Sequence, residues 1–164
     1  MVSAVTVQYT NPRVRVVRNE KDKQFCFDVR MTVFVDEQKY DAAIEIDERD
    51  PLSTHWLLTC DRHDGSTVTE VPVGTVRLFP LPQGVGKLGR LAVVKEARGL
   101  ALGRLLVETV KQHGRETGLK AIVLHAQVDK RGFYEKLGFT VDAEDEAGFM
   151  EEGTPHVRMW NRSL

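Results

Sequence analysis

Apolar positions along this chain switch between a period of two and a period of about 3.6, and the switches outline alternating strands and helices. The clearest switch lies in Leu88–Leu106, LGRLAVVKEARGLALGRLL. An apolar run at Leu91, Ala92, Val93 and Val94 breaks at Lys95-Glu96, and apolar residues return with helical spacing at Leu102, Leu105, Leu106 and Val110. This reads as strand, loop, helix. The helix should continue to about Thr117, where Gly118 stands at the C′ position with His113 and Arg115 in the last turns.

The rest of the chain follows the same alternation. Val14 to Val17 reads as a first strand after Asn11-Pro12, and Asn19 caps a helix expected from Glu20 to Phe34, with Phe25, Val29, Thr32 and Val33 on one face. Lys39 to Ser53 is acidic and irregular, with a single helical turn at Ala42-Ala43-Ile44 and a stop at Asp50-Pro51, and suits a lid over a site. Trp56 to Cys60 and Val71 to Phe79 form antiparallel partners around the Asp64-Gly65 turn. Pro80 to Gly84 is a loop, and Lys120 to Ala126 is a strand apolar enough to be covered on both faces. Asp129 to Leu137 should be a short helix closed by Gly138, Phe139 to Asp142 a strand, Glu144 to Gly153 an acidic loop and His156 to Asn161 the last strand. Two central strands joined by a crossing helix make a βαβ unit, so the chain is expected to be α/β, with a mixed sheet and helices on both faces.

Length and charge narrow the picture. With 164 residues, 41% of them hydrophobic and 29% charged, the chain is expected to form one domain over residues 1–164 with a real core. A formal net charge of −1 and the absence of long like-charge runs argue against nucleic-acid binding. Cys26 and Cys60 have no CxxC or His-rich surroundings and read as buried, reduced thiols. The opening MVSAVTVQYTNP has no charged leader followed by an apolar stretch, and no segment approaches the roughly 20 apolar residues of a membrane span. A soluble, cytoplasmic protein without a membrane partner is expected.

The βα junction carries the first chemistry. The first amides of a helix lack intrahelical partners and attract anions, and Gly99 and Gly103 let a ligand approach the backbone from Arg98 to Arg104. An ordinary βα turn is the competing reading. RGLALG opening a helix and GFYEKLGF (Gly132 to Phe139) after the next strand, in that order, resemble the GNAT superfamily of acetyl-CoA-dependent N-acetyltransferases. VRMTVFVDEQ (Val29 to Gln38), Ile46-Asp47-Glu48 with His55, HAQ (His125 to Gln127) and GTPHVRM (Gly153 to Met159) are similar to the ElaA-like branch. Ala101 stands where the fingerprint more often has glycine.

The resemblance implies the GNAT fold, a mostly antiparallel sheet whose central parallel strands splay apart, and acetyl-CoA as co-substrate with no metal. It implies that the backbone of Leu91, Ala92 and Val93 bonds the pantetheine arm, that Arg98, Gly99, Leu100, Ala101, Leu102, Gly103 and Arg104 hold the pyrophosphate, and that Gln127, Phe133, Tyr134 and Lys136 line the cofactor. A homodimer stays open.

Acetyl transfer to an amine needs a deprotonated nucleophile, a stabilised oxyanion and an acid for the departing thiolate. Tyr134 can supply the acid, and the amide of Ala92 or Val93 the oxyanion donor. Glu37, at the exit of the first helix, and His125, at the end of the central strand, are the candidate bases; a surface carboxylate and a core histidine bonded to a carbonyl are the alternatives. Asp47, Glu48 and Asp50 either bind a cationic substrate or form a solvated acidic loop, and their spacing with His55 and His156 matches no metal site. The expected acceptor is the primary amine of a small molecule. An amino-sugar phosphate acceptor would call for basic groups such as Arg158, Lys130 or Arg131, and a non-catalytic acyl-CoA-binding module is the alternative outside enzymes.

Overall fold

The computed structural model describes residues 6–164; residues 1–5, and with them part of the expectation about a leader, lie outside it. The strands are β1 (Gln8–Val16), β2 (Thr54–Asp64), β3 (Thr67–Leu81), β4 (Val85–Val93), β5 (Ala121–Gln127), β6 (Phe149–Glu151) and β7 (Thr154–Asn161). The α-helices are α1 (Glu20–Arg30), α2 (Ala42–Glu45), α3 (Leu102–Thr117) and α4 (Arg131–Glu135). One mixed, mostly antiparallel sheet has the order β1-β2-β3-β4-β5-β7-β6. Its parallel pair is β4 with β5, joined through α3 as the βαβ reading expects. The backbone groups into two compact units, one of residues through Ile46, His55–Val76 and Leu91–Leu106, the other of Asp47–Thr54, Arg77–Arg90 and Val107–Leu164. Among the described residues no helix is long and apolar enough to cross a membrane.

In the first unit, the Asn19 side chain accepts from the Asp22 N–H at 2.8 Å and starts α1, with Glu20 and Asp22 facing the positive end of its dipole. The expected helix to Phe34 instead stops being α at Arg30 and continues as a π-helix over Met31–Glu37. Gln38 N–H reaching back five residues to the Val33 carbonyl at 3.0 Å shows the wider turn, a local rearrangement that no periodicity argument anticipates. Val29 and Val33 are buried in one cluster with Ala92, with Phe34 and Val94 packed against it, so the helix seats on the end of β4. Strand β1 is longer than Val14 to Val17 because a bulge absorbs Asn11-Pro12: the register against β2 shifts between Thr10 and Arg13, and Asn11 has φ +53°. Arg30 is fully buried, donates to the Glu45 carboxylate at 3.1 Å and carbonyl at 2.6 Å, and lies 5.1 Å over the Phe27 ring, which ties α2 to α1.

In the second unit, the parallel ladder runs only from Val85↔Ala121 to Leu88↔Leu124. Both strands continue beyond it, and Arg90 turns into the left-handed region at φ +53°, so the central strands part where the resemblance expects the splay. Two expectations for the C-terminal third need correction. Phe139 to Asp142 is not a strand: Thr140 makes one isolated bridge to Trp160. The strand comes later, inside the expected acidic loop, where Phe149–Glu151 pairs with β7 through a two-residue turn at Glu152 (φ +48°) and Gly153 (φ +76°). Two positive φ values are the mark of a type I′ hairpin, and Glu-Gly is a weak form of that signal beside Asn-Gly. The expected helix Asp129 to Leu137 splits into a 3₁₀ turn at Val128–Lys130 and the five residues of α4.

Candidate active site

In the first unit, β4 ends in a 3₁₀ turn (Lys95–Ala97), and the chain then passes Gly99 at φ +85° and Ala101 at φ +57° into α3. A Cβ at Gly99 would meet nothing within 4 Å, and Arg98, Gly99, Leu100, Ala101 and Arg104 are exposed, so the backbone lies open. The Leu105 N–H bonds the Ala101 carbonyl at 3.1 Å, which leaves the Leu102, Gly103 and Arg104 amides ahead of that first bonded turn. Unlike α1, α3 has no acidic residue in its first turn. Its positive pole is therefore not offset by its own side chains and suits an external anion such as a pyrophosphate. The alanine departure has a structural meaning, because the backbone adopts at Ala101 the left-handed conformation in which glycine is unstrained.

Leu91 and Val93 are half-buried and Ala92 is buried, with the adjacent Val94 N–H bonded to the Val73 carbonyl at 2.9 Å. The π-helix delivers Glu37 to Arg98, whose guanidinium forms a two-pronged pair with the carboxylate, while its Nε donates to the Val93 carbonyl at 3.1 Å. The hydrogen bond from Glu37 holds Arg98 above the ordinary arginine range against a smaller opposing effect of burial. The first candidate base is thus engaged by Arg98, at the start of the loop that leads into α3.

In the second unit, Tyr134 lies on α4 with 9% exposure, edge-on to Phe133 (centroids 5.0 Å apart) and Phe139 (5.9 Å). Burial alone pushes its hydroxyl above the usual tyrosine range, so it stays protonated through neutral pH. Phe133 and Gln127 are half-buried and Lys136 is exposed. His125 sits on β5 with Nδ1 3.0 Å from a Glu151 carboxylate oxygen, and His156 Nε2 is 3.6 Å from the other oxygen. The Phe149 ring stands edge-on to His125 at 4.8 Å and stacks on His156 at 6.0 Å. The hydrogen bond from His125 holds the Glu151 carboxyl below its usual range despite burial, with the charges of His125, His156 and Lys87 acting in the same direction. His125 therefore bonds a carboxylate rather than a backbone carbonyl. Sequence reasoning missed Glu151 as its partner, because the pairing arises only when β6 and β5 flank β7.

The acidic segment of this unit is not a solvated loop. Asp50 is 3% exposed, and Arg77 donates to Asp47 at 2.7 Å and to Asp50 at 2.8 Å, with Arg90 3.3 Å from Asp47. Burial works to raise the Asp47 carboxyl, but the hydrogen bond and charge of Arg77, aided by Arg90, hold it below the usual range. Of the basic groups weighed for a phosphate, Arg158 is paired with Asp145 and Arg131 with Glu135 and Glu146. The Asp142, Glu144 and Asp145 carboxylates lie within 4.8 Å of one another, but Arg162 and Arg158 already balance Asp142 and Asp145.

Comparison with known proteins accounts for these parts together. The acetyltransferase (GNAT) family model matches residues 19–139, from the α1 cap to the end of the FYEKLGF segment. Two Bacillus subtilis (strain 168) proteins align over most of both chains. One, BSU40680, is 36% identical over 146 residues, covering 89% of this chain and 93% of its own. The other, the uncharacterized N-acetyltransferase YjcF, is 34% identical over 144 residues, covering 88% and 95%. Escherichia coli ElaA superposes with a TM-score of 0.73 at 21% identity, covering 92% of this chain and 99% of that one, a likeness of fold. With its open α3 N-terminus, parted β4 and β5 strands and matched sequence, the chain belongs to the acetyltransferase (GNAT) family, whose members use acetyl-CoA.

Proposed function

We propose that the protein is an acetyl-CoA-dependent N-acetyltransferase for the primary amine of a small molecule, working in the cytoplasm, where its two free, buried thiols would stay reduced. The observation that carries the reading is the βα junction at Arg98–Arg104, with exposed backbone, left-handed Gly99 and Ala101, and a helix pole that no acidic side chain of its own offsets. Acetyl-CoA, when bound, supplies the activated acetyl group; Arg98 to Arg104 would hold its pyrophosphate and the backbone of Leu91 to Val93 its pantetheine arm.

The residues of the second unit take the proton-handling roles. A free amine with a pKa near 10.4 is mostly charged at neutral pH and must lose a proton before it can attack. His125 is the better-supported acceptor for that proton, because Glu151 fixes its Nδ1 and orients the ring, whereas Glu37 is engaged by Arg98. Tyr134, protonated at working pH, donates to the departing sulfur, and the Ala92 or Val93 amide to the oxyanion. Free-thiol release across a panel of amines tests the reading. Acceptor-dependent release above the hydrolysis background is expected, together with thermal protection by acetyl-CoA of about 2.7 kcal/mol at a hundredfold excess over its Kd. Thermal protection without release from any amine would leave only a binding module.

A further inference from the structure

Most guanidiniums in this chain have a carboxylate partner, as Arg15, Arg30, Arg98 and Arg162 do. Two cations on one sheet face of the second unit differ. Lys87 faces Val123 across the parallel ladder, and alternation along β5 puts His125 on the same face. Gly89, two residues on from Lys87, would place a Cβ 3.9 Å from Arg77 Nε, so Arg77 runs along that face as well. Phe79, two residues on from Arg77, carries the Arg49 guanidinium 4.9 Å above its ring.

The charges on this face do not balance pair by pair. Asp47 and Asp50 are taken by Arg77 and Arg90, and the oxygens of Glu151 face His125 and His156. Among the described residues, Lys87 is left half-buried with no carboxylate within ion-pair distance, and Arg49 with an aromatic ring in place of a carboxylate. Burial, followed by the positive charges of Arg49, Arg77 and Arg90, holds the Lys87 ammonium below the ordinary lysine range, with Glu151 opposing. A half-buried cation beside three guanidiniums is costly unless an anion joins it.

We propose that Lys87 and Arg49 form an anion-binding subsite for the acceptor, so that the protein's substrates are amines that also carry a carboxylate or a phosphate group. This rests on the proposed acetyltransferase function and narrows it. The anion would be anchored beside Lys87, on the sheet face that carries His125, and would present its amine along that face to the imidazole. A charge-assisted bond to each cation is worth about ten- to a hundredfold in discrimination. Of Arg158, Lys130 and Arg131, the basic groups the sequence offers for a phosphate, Arg131 and Arg158 are occupied by carboxylates, and Lys130 is exposed in the turn before α4.

Matched acceptors test the proposal and separate the two anion sources: an α-amino acid against its amide, and an amino-sugar 6-phosphate against the unphosphorylated amino-sugar. The wild-type protein should prefer at least one anionic member by about tenfold or more in kcat/KM. In Lys87→Gln and Arg49→Gln that ratio should fall toward one, and in Lys87→Arg it should persist. A second measurement needs no turnover: with CoA saturating, inorganic phosphate or acetate should raise the melting temperature of the wild type and have an effect about tenfold weaker, by midpoint concentration, on Lys87→Gln. No anionic preference in either pair, or a preference and an anion midpoint unchanged in Lys87→Gln, overturns the subsite. Absence of thiol release from every amine would instead overturn the acetyltransferase reading, and the phosphate and acetate titration would still decide for or against the subsite.

Discussion

Replacing Tyr134 by phenylalanine separates chemistry from packing at the centre of the proposed mechanism. The ring sits edge-on to Phe133 and Phe139, contacts that a phenyl ring in its place retains, and the upward pKa shift comes from burial alone, with no charged partner to strand. Stability should therefore change by less than about 1 kcal/mol. The rate effect follows from proton affinities. A free thiolate has a pKa of about 8.5 and an unperturbed tyrosine about 10, so complete transfer from the hydroxyl is uphill by at least about 1.5 units, or ~2 kcal/mol. Burial widens that gap, so the hydroxyl acts mainly as a hydrogen-bond donor to sulfur as charge develops, at the low end of general-acid contributions. We expect about a 10²-fold fall in the chemical step, ~2.7 kcal/mol of barrier, with acetyl-CoA affinity retained. The wild-type rate should rise with pH as the amine deprotonates, with no loss from Tyr134 through about pH 9, because a raised pKa keeps it protonated there. Single-turnover thiol release and a thermal scan are the assays. A rate within about threefold of wild type would make Tyr134 a packing residue, and a slow rate accompanied by more than about 2 kcal/mol of lost stability would trace the defect to folding.

Three further outcomes follow from the same contacts. Glu45→Ala takes the carboxylate away from a fully buried Arg30, and should cost about 3 to 5 kcal/mol in urea unfolding; a loss under about 1 kcal/mol would mean that desolvation had already cancelled the pair. Asp47 is held below its unfolded pKa of about 3.9, so the stability it contributes is complete above that value and is lost as pH falls through it toward the folded one. Asp47→Asn should accordingly flatten the loss of stability as pH falls below about 4, and an unchanged slope would contradict this reading of Asp47. Ala101→Gly relieves about 1 to 2 kcal/mol of left-handed strain and costs about 0.4 to 1 kcal/mol through unfolded-state entropy, for a net gain between about 0 and 1.6 kcal/mol without weaker acetyl-CoA binding; a lower melting temperature would refute that balance.

What the sequence disclosed and what it hid divide along the range of the interactions. The boundaries of α3 were legible because its apolar spacing and Gly118 are local signals, and so was β5, since a strand covered on both faces is apolar throughout. The cap at Asn19 was legible for the same reason. The π-helix was not, because Phe34 and Val35 continue an apolar pattern that either helix type satisfies. Strand β6 was hidden by its acidic neighbours and by a Glu-Gly turn that lacks the usual residues. At the candidate site, the exposed turn into α3 could be read from Arg98 to Arg104, whereas the partners of Glu37, His125 and Asp47 lie 61, 26 and 30 positions away.

Those distant partners decide how the charged residues should be read. An acidic residue in a loop looks the same in a sequence whether it faces a substrate or holds an arginine, but its energetics differ. Once Asp50 is buried against Arg77, losing either partner strands the other in low dielectric, so the pair serves the fold and neither member is free for a ligand. Glu37 follows the same logic at the surface, where it orients Arg98 at the start of the turn into α3; the pyrophosphate of the proposed reading would have to compete with that carboxylate or share the guanidinium with it. The charges available for function are then the ones the fold leaves unmatched. Among the described residues these include Arg104 and the open amides of α3 in the first unit, and Lys87 and Arg49 in the second. Asp47 and Asp50, in a conspicuous charged stretch of the sequence, thus act as scaffold, and Lys87 and Arg49, the cations they do not neutralise, are the ones proposed to hold an anionic substrate.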